Sequence, residues 1–310
     1  MKKWFVIFCL LTFAIAASIY FLIPSHQNVN DKIFVNSTQS AVSRFIINKD
    51  EWLCWWPGKK IDDSSYCFKN YTYRIEKILL NGFETLVFNN GDSLRGFVQF
   101  AAYGQDSTQF KWISTKVFSA RPGKRFVEYV KLKKIEKNID SLLINMQKYF
   151  DRQENVYGMK IVLQKVTDTS LISERNTFSH YPTTVEIYKM IHSVKEYIQQ
   201  KGGEESNYPM LNVHKEGPER YETMVAIPTK RNLPSEGKFQ FKRMILGNIL
   251  MGEVKGGVQT VVKGEEQLAY YVTDYNKMSP AISYQSLVTS RLSEPDSSKW
   301  VTRLYYPVFY

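Results

Sequence analysis

The chain has 310 residues, of which 44% are hydrophobic and 23% charged, and its formal net charge is +11. This length is enough for two ordinary domains, at about 100–200 residues each. The basic residues are spread along the chain, and the densest run, at 131–138, is interrupted by Glu136. No helix-turn-helix, zinc-finger or RNA-binding pattern accompanies that run, so the composition does not support a nucleic-acid partner.

The N-terminus carries an uncharged apolar segment, residues 4–23, which follows Lys2 and Lys3. About 20 apolar residues are enough to span a bilayer as a helix, so we expect residues 1–24 to form a membrane anchor. The two lysines favour a cytoplasmic N-terminus, which makes this a single-pass protein of the inner (cytoplasmic) membrane with extracytoplasmic soluble domains. The alternative is a cleaved signal peptide, because Ala-Ile-Ala at 14–16 fits a cleavage pattern. The polar residues 25–33 then predict a short tether.

Cysteine and histidine usage says little about cofactors. Cys54 and Cys67 lie in the predicted soluble part. In an oxidising compartment they could close a short loop as a disulfide, worth about 3 kcal/mol, and otherwise they are two small buried hydrophobes. The histidines lack metal-ligand spacing and no phosphate-binding glycine loop occurs, so the sequence predicts no metal and no cofactor.

Residues 34–157 predict a strand-rich domain that ends in a long helix. Several short segments alternate between apolar and polar residues, with turn residues between them, as in an antiparallel meander. The last segment, 139–150, has apolar residues at helical spacing. A long helix can cover one face of such a sheet and leave an apolar pocket where it does not fill the concavity.

The segment 35–59 carries a resemblance to a known family. It reads VNSTQSAVSRFIINKDEWLCWWPGK and contains Trp52, Trp55, Trp56 and Pro57. With the meander and the terminal helix, this segment resembles the SRPBCC (START-like) superfamily. The resemblance implies a helix-grip domain that holds a hydrophobic ligand. Trp55 and Trp56 either line the mouth of its cavity or pack the helical corner.

Residues 158–310 repeat one order of elements, which is a strand, a helix and a hairpin. The two halves end in RYETMVAIP and WVTRLYYP, and these endings align when Pro228 is placed on Pro307. A residue before proline is held extended, which suits the end of a strand. Each half is too small to form a core alone. We therefore expect one antiparallel sheet with both helices on the same face and a groove between them.

The two helices are predicted near 183–201 and 258–278. Thr183 and Glu186 form a capping-box pattern at the start of the first helix, and Gly202 with Gly203 ends it. The predicted apolar stripes are Val185, Tyr188, Ile191, Val194 and Ile198 in the first helix, and Val258, Val261, Leu268, Val272 and Tyr275 in the second.

This second region resembles the GyrI-like effector-binding family, also found as the ligand domain of AraC- and MerR-type regulators. The paired endings, the duplicated order and Gly256-Gly257 before the second helix carry the resemblance. It implies a groove that binds lipophilic, often cationic molecules between aromatic residues and a buried glutamate.

Glu222 occupies the family's acidic position and either faces the ligand or is an ordinary exposed strand glutamate. The second copy has Val301 there with Arg303 nearby, which disfavours a cationic ligand. The candidate wall residues are Tyr270, Tyr271, Trp300 and Tyr305.

Together these patterns predict an α+β protein with an N-terminal transmembrane helix, a helix-grip domain and a duplicated β-α-β-β domain. Its predicted function is to bind or sense a small hydrophobic or amphipathic ligand without a DNA-binding domain. The alternative is a hydrolase that acts on a small lipophilic electrophile in the groove. No nucleophile with an adjacent base is evident, so the sequence predicts no catalytic residue, although Glu222 and a groove tyrosine could do acid–base work.

Overall fold

The computed structural model describes residues 2–89, 91–167, 170–279 and 281–309. The protein is a mixed α+β molecule that divides into two compact units, 1–152 and 153–310, each built on an antiparallel sheet. The sequence predicted the boundary between the two domains after residue 157. The structure places helix α5, Gln153–Tyr157, in the second unit, where Tyr157 Oη donates a hydrogen bond of 2.8 Å to Asp274 Oδ2.

The first unit opens with an apolar helix, continues into a strand and two short helices, and closes with strands and a long helix. Its elements are α1 Lys2–Leu22, β1 His26–Val35, α2 Gln39–Ile47, α3 Trp52–Trp55, β2 Lys59–Lys60, β3 Ser65–Phe68, β4 Tyr71–Leu79, β5 Gly82–Asn89, β6 Asp92–Ala102, β7 Thr108–Val117 and α4 Pro122–Phe150. In the part of this unit that is described, the strands lie in the order β1-β7-β6-β5-β4-β3-β2.

The tether predicted at residues 25–33 is wrong, because this segment is most of strand β1. His26 pairs with Val117 and Val35 pairs with Thr108, so β1 runs antiparallel to β7 along its whole length. The polar composition fits a strand at the edge of a sheet, where one face of the strand and one row of backbone groups meet solvent. Only Val29 and Val35 of this strand are buried.

The core of the first unit is aromatic. Four large side chains between the sheet and α4 have no accessible surface: Phe100, Phe110, Trp112 and Phe150. A side chain lining a cavity wide enough for water would keep some accessible surface, so these four rings pack against their neighbours and do not line such a cavity.

The second unit contains the predicted repeat. Its elements after α5 are β8 Ile161–Lys165, β9 Ser170–Phe178, α6 Thr184–Gln200, β10 Met210–Gly217, β11 Arg220–Pro228, β12 Gln240–Arg243, β13 Asn248–Lys255, α7 Val258–Asp274, β14 Tyr284–Leu287 and β15 Val301–Val308. The described strands form one sheet in the order β12-β9-β11-β10-β14-β15-β13-β8. From the β10–β14 pair outward, one side has the order β10, β11, β9, β12 and the other has the matching order β14, β15, β13, β8. The two halves therefore meet at this pair about a pseudo-twofold axis.

The aligned prolines occupy equivalent places in this sheet. Pro228 pairs with Leu171 on β9, and Pro307 pairs with Ile249 on β13. The first strand of each half pairs with the other half. Strand β8 of the first half pairs with β13, and strand β12 of the second half pairs with β9. The duplication is therefore a property of the fold as well as of the sequence.

Both long helices of the second unit lie on one face of the sheet. Residues directly opposite each other in neighbouring strands share a face, and Leu211, Gln285 and Leu304 form such a row across β10, β14 and β15. Leu211 packs in the core cluster of α6. Leu304 lies so close to α7 that a Cβ on Gly264 would be 2.7 Å from Leu304 Cδ1.

The buried stripe of α6 differs from the predicted one. Ile191, Val194 and Ile198 are buried as expected, but Val185 is 58% exposed. The face of α6 that meets the sheet is rotated about the helix axis relative to the predicted face. Its buried residues are Ile187, Met190, Ile191, Val194, Tyr197 and Ile198. In α7 the predicted Val261, Leu268 and Val272 are buried.

Candidate functional site

Polar side chains from both halves of the second unit meet on the helix-bearing face, beside the pseudo-twofold axis. Gln285 lies on β14 at this axis, and its Nε2 donates a hydrogen bond of 3.2 Å to Glu265 Oε1 on α7. Gln285 also interacts with the Tyr181 hydroxyl, which comes from the loop between β9 and α6. We call this region the central cleft: Tyr181, Tyr188, Glu265, Gln285, Arg291 and Thr302.

Arg291 supplies the positive charge of the central cleft. It lies in the loop between β14 and β15, and its Nη2 donates a hydrogen bond of 3.3 Å to Thr302 Oγ1. The Tyr188 hydroxyl accepts a 2.7 Å hydrogen bond from the Arg291 backbone N–H and so fixes this loop to α6. The guanidinium carbon of Arg291 lies 5.1 Å from the centre of the Trp300 ring, within the range of a cation–π contact.

Burial shifts the pKa of three groups in the central cleft. It raises the pKa of the Glu265 carboxyl, a shift that the Gln285 hydrogen bond and the Arg291 charge oppose. It also raises the pKa of the Tyr181 hydroxyl and lowers the pKa of the Arg291 guanidinium. Perturbed pKa values that converge in a cleft are typical of functional sites.

One acceptor in the central cleft is left without a partner. Gln285 is 1% exposed, and within the described residues its Oε1 atom has no hydrogen bond. A buried carbonyl oxygen without a donor costs about 1–3 kcal/mol, so it is a preferred place for a ligand N–H or O–H group. Tyr181, Tyr188 and Glu265 keep part of their surface accessible, so solvent reaches these three side chains.

The predicted acidic residue lies elsewhere. Glu222 is on β11 two residues before Met224, on the face of the sheet opposite the helices, and forms an ion pair with Arg175 on β9. Tyr305 is on the same face, where its ring stacks on Tyr284 with centroids 5.0 Å apart.

The two predicted aromatic residues on α7 have different environments. Tyr270 is exposed, and Tyr271 stacks on Tyr275 with centroids 4.3 Å apart and meets the edge of Tyr157. Trp300 is the predicted residue that reaches the cleft, through its contact with Arg291.

The tryptophans of the first unit are core residues. Trp55 and Trp56 are buried, and their indole nitrogens donate hydrogen bonds to the backbone oxygens of Phe45, at 3.2 Å, and Cys67, at 3.0 Å. Their rings pack with Trp52 at centroid distances of 4.8 and 6.1 Å. Trp55 and Trp56 therefore pack the core of the first unit and do not line the mouth of a cavity.

Cys54 and Cys67 are both free thiols in the structure. Cys54 is exposed, with its Sγ 3.5 Å from Glu51 Oε2, and Cys67 is half-buried on β3. Among the described residues, no group of three or more His, Cys, Asp or Glu side chains is placed to hold a metal ion.

Sequence reasoning missed Tyr181, Glu265, Gln285 and Arg291. Glu265 carried a weak signal, because it occupies the same helix face as Val261 and Leu268, where a carboxylate is unusual. Gln285 and Arg291 carried none, since a glutamine in a strand and an arginine in a loop are ordinary surface residues until strand pairing buries them.

Comparison with known proteins gives fold similarity at low identity. No family model matches the chain, and no curated protein matches it. The structure is similar to the C-terminal domain of EcmrR, with 16% identity and a TM-score of 0.43 over 49% of this chain and 98% of that chain. It is similar to SAV2435 bound to tetraphenylphosphonium, with 16% identity and a TM-score of 0.33 over 49% of this chain and 94% of that chain. It is also similar to a hydrolase from Listeria innocua, with 10% identity and a TM-score of 0.37 over 47% of this chain and 91% of that chain.

Proposed function

We propose that this protein binds a small molecule in the central cleft and acts as a membrane-anchored sensor or carrier. The observation that carries this proposal is the unpaired Oε1 atom of Gln285, which lies among Glu265, Tyr181 and Arg291. Aromatic rings and a few convergent polar groups are the usual lining of a ligand site. The duplicated order of the sequence, which resembles the GyrI-like family, supports the same function.

The geometry favours a ligand with an aromatic or apolar body and one hydrogen-bond donor. The donor would meet Gln285 Oε1 and the Glu265 carboxylate, while Tyr181 and Tyr188 provide ring faces. Arg291 lies close enough to Glu265 to stabilise the carboxylate, so the cleft is not simply anionic. A neutral or weakly basic molecule therefore fits better than a strong cation.

A thermal-shift screen of the full chain in lipid nanodiscs, with neutral and basic aromatic amines, tests this proposal. Compounds that bind the folded state raise its unfolding temperature. In Glu265→Gln we expect the affinity of such compounds to fall by about 10–100-fold, because a hydrogen bond to a charged group is worth about 1.5–3 kcal/mol. The matched control is Glu266→Gln, which changes an exposed neighbour on the same helix. Equal effects of the two variants, or no binding by any compound, would refute the proposal.

A hydrolase is the second candidate, and a specific observation favours it. Glu265, whose pKa is raised by burial, shares Gln285 as a partner with Tyr181. Raising the pKa of a carboxyl group makes it a better acceptor for a proton from a bound substrate or water. Ester hydrolysis that is lost in Glu265→Gln and kept in Glu266→Gln would support turnover, whereas saturable binding without turnover supports the sensor.

The membrane anchor is part of the proposal. Lys3–Leu22 is long and apolar enough to cross a bilayer, although a signal sequence also meets these criteria. Support for an uncleaved anchor comes from the first unit, which holds the end of α1. Arg125 Nη1 donates a 3.2 Å hydrogen bond to the Ile23 carbonyl, and its guanidinium lies 4.4 Å from the Tyr20 ring. We expect the mature chain in the membrane fraction, and recovery of a soluble chain shortened after residue 16 would contradict this.

The exposed thiol of Cys54 provides a test of topology. If the soluble units face the outside of the inner membrane, a membrane-impermeant maleimide should label Cys54 in spheroplasts treated with reductant. Cys54→Ser gives the background from the other cysteines. Labelling that requires lysis of the spheroplasts would reverse the proposed orientation. Labelling that requires prior reduction would show that Cys54 and Cys67 form the disulfide.

A further inference from the structure

The second unit has an apolar pocket on the face of its sheet opposite α6 and α7. Its floor is a buried cluster of Leu171, Met210 and Ala226, on β9, β10 and β11, against which Met244 and Tyr284 pack. The cavity has a volume of about 220 Å³. Small-molecule sites usually measure about 300–1,000 Å³, so this one suits a slender ligand such as a single hydrocarbon chain. We call it the methionine pocket, since Met210, Met224 and Met244 line it.

The rim of the methionine pocket exposes apolar side chains to solvent. Ile245 and Leu246, in the loop between β12 and β13, are 63% and 69% exposed, and Ile282 and Phe309 are each exposed over about half of their surface. All four line the pocket. Exposed aliphatic groups of this kind that surround a cavity typically mark a surface that a lipophilic molecule covers. Methionines adapt to the shape of flexible apolar ligands.

The charges at this pocket have one sign. Lys242 and Arg243 line it, and none of the described lining residues is an acid. Lys242 Nζ lies 3.3 Å from Met224 Sδ, a weak acceptor that does not neutralise it. The carboxylate of Glu222, on the same face, is already paired with Arg175. Burial, with a smaller contribution from the Arg175 charge, lowers the pKa of the Lys242 ammonium, and the charge of Glu222 opposes this shift.

The polar contacts of Lys242 are therefore weaker than those an ammonium group usually has in a protein. An anion at the pocket mouth would accept a charge-assisted hydrogen bond from Lys242 and remove the cost of its partial burial. The apolar floor would cover a hydrocarbon chain. These two requirements are met by a molecule with an acidic head and an apolar tail.

We propose that the methionine pocket binds a single-chain amphipathic anion, such as a medium- or long-chain fatty acid, with its acidic head at Lys242 and Arg243 and its chain along Leu171, Met210 and Ala226. This site is separate from the central cleft, which lies on the other face of the sheet. It also prefers the opposite charge to the lipophilic cations that the GyrI-like resemblance implies. The proposal does not depend on the function proposed for the central cleft.

Photo-crosslinking tests the proposal in the full chain reconstituted into phosphatidylcholine nanodiscs. The probe is a dodecanoic acid that carries a diazirine on its chain, and labelled peptides are identified by mass spectrometry. We expect labels on peptides containing Met210, Met224 or residues 244–248. Excess dodecanoic acid should remove these labels, while dodecanol and dodecyltrimethylammonium at equal concentration should compete at least tenfold less well. Labels confined to α1, or equal competition by all three compounds, would overturn the proposal.

Substitutions test whether the binding of dodecanoic acid depends on residues of the methionine pocket. Lys242→Gln should raise the dodecanoic acid concentration needed for half competition by about tenfold, since the lost charge-assisted contact is worth about 1.4 kcal/mol. Lys189→Gln, an exposed position on α6, and Glu265→Gln in the central cleft should leave it unchanged. Ala226→Leu should reduce labelling by filling the floor while cooperative unfolding is retained. A change in Glu265→Gln equal to that in Lys242→Gln would place the bound acid in the central cleft and refute the proposal.

Discussion

Gly96 on β6 shows how one residue without a side chain lets a large ring pack. A Cβ at this position would lie 2.1 Å from Cζ2 of Trp112 on the neighbouring strand. Trp112 is fully buried, and its Nε1 donates a 3.0 Å hydrogen bond to Ser114 Oγ, so the ring has little room to move. The glycine is therefore required by the close approach of the indole.

We predict that Gly96→Ala destabilises the first unit by about 2–3 kcal/mol, because the methyl group overpacks a core that cannot yield. Urea denaturation followed by tryptophan fluorescence measures this, since five of the six tryptophans belong to the first unit. Gly123→Ala is the control, as open space surrounds that position in the first turn of α4. A neutral Gly96→Ala variant would show that the Trp112 ring can shift.

Asp31 on β1 is a carboxyl group in an unfavourable environment. Burial, followed by the charge of Asp140, raises its pKa from 3.8 to about 6, and Lys133 opposes the shift. Glu136 also faces it and adds to the repulsion. Because the folded state binds the proton more tightly than the unfolded chain, this group favours the folded state most below about pH 4. That advantage is lost as the pH rises through 6.

We predict that Asp31→Asn stabilises the first unit at pH 7 by about 1 kcal/mol, after a discount for solvent screening of this partly exposed group. The free energy of unfolding of the variant should also depend less on pH between 4 and 6. Urea titrations at several pH values give both quantities. Asp106→Asn, in the exposed loop after β6, should change neither. A loss of stability at pH 7 would mean that the charged form makes a favourable contact.

At the scale of elements, α6 begins with the capping box that the sequence predicts. The Glu186 backbone N–H donates to Thr183 Oγ1 at 3.3 Å, and the Thr183 backbone N–H donates to Glu186 Oε2 at 2.8 Å. These hydrogen bonds satisfy two of the backbone donors that a helix start leaves unpaired. This local signal needs only residues close in sequence, and for that reason it could be predicted.

We predict that Thr183→Ala destabilises the second unit by about 1 kcal/mol, the usual effect of losing an N-cap side chain. Amide hydrogen exchange of residues 184–187 should accelerate first, because their bonds depend on the cap. Ser193→Ala, in the middle of the same helix, removes a hydroxyl without touching the cap and should not destabilise it. Equal acceleration in both variants would argue against a role for the capping box.

The strand β1 and the stripe of α6 show where element prediction failed. Polar residues dominate residues 25–33, and an edge strand needs so few buried side chains that its sequence resembles a linker. In α6 both Val185 and Ile187 are apolar, so the sequence permits more than one buried face. Packing against β9 and β11 selects the face that contains Ile187.

At the scale of the whole second unit, β15 joins strands β13 and β8 to the rest of the sheet. In the described sheet, β15 lies between β14 and β13, and β8 pairs with β13. Removal of β15 therefore separates β13 and β8 from the other strands and exposes the sheet face under α7. A terminal strand in this position is central to the fold.

We predict that a chain ending at Ser298 loses the cooperative unfolding of the second unit. Hydrogen-exchange mass spectrometry should show loss of protection across β8 to β14, with protection in the first unit unchanged. A matched control is Phe309→Ser, which changes an exposed residue beyond the end of β15 and keeps the strand. Retained protection in the truncated chain would mean that the duplicated halves are independently stable.

The sequence by itself determined the apolar N-terminal helix, the strand-rich first region, the capping box and the duplicated order of the second region. These features depend on periodicity and on residues close together in the chain. The candidate site depends on pairing between distant segments. Tyr181, Glu265, Gln285 and Arg291 meet because β14 pairs with both β10 and β15 and so places Gln285 at the pseudo-twofold axis. Glu222 had the expected motif but lies on the other face, because side chains alternate along a strand and tertiary packing decides which face the helices cover.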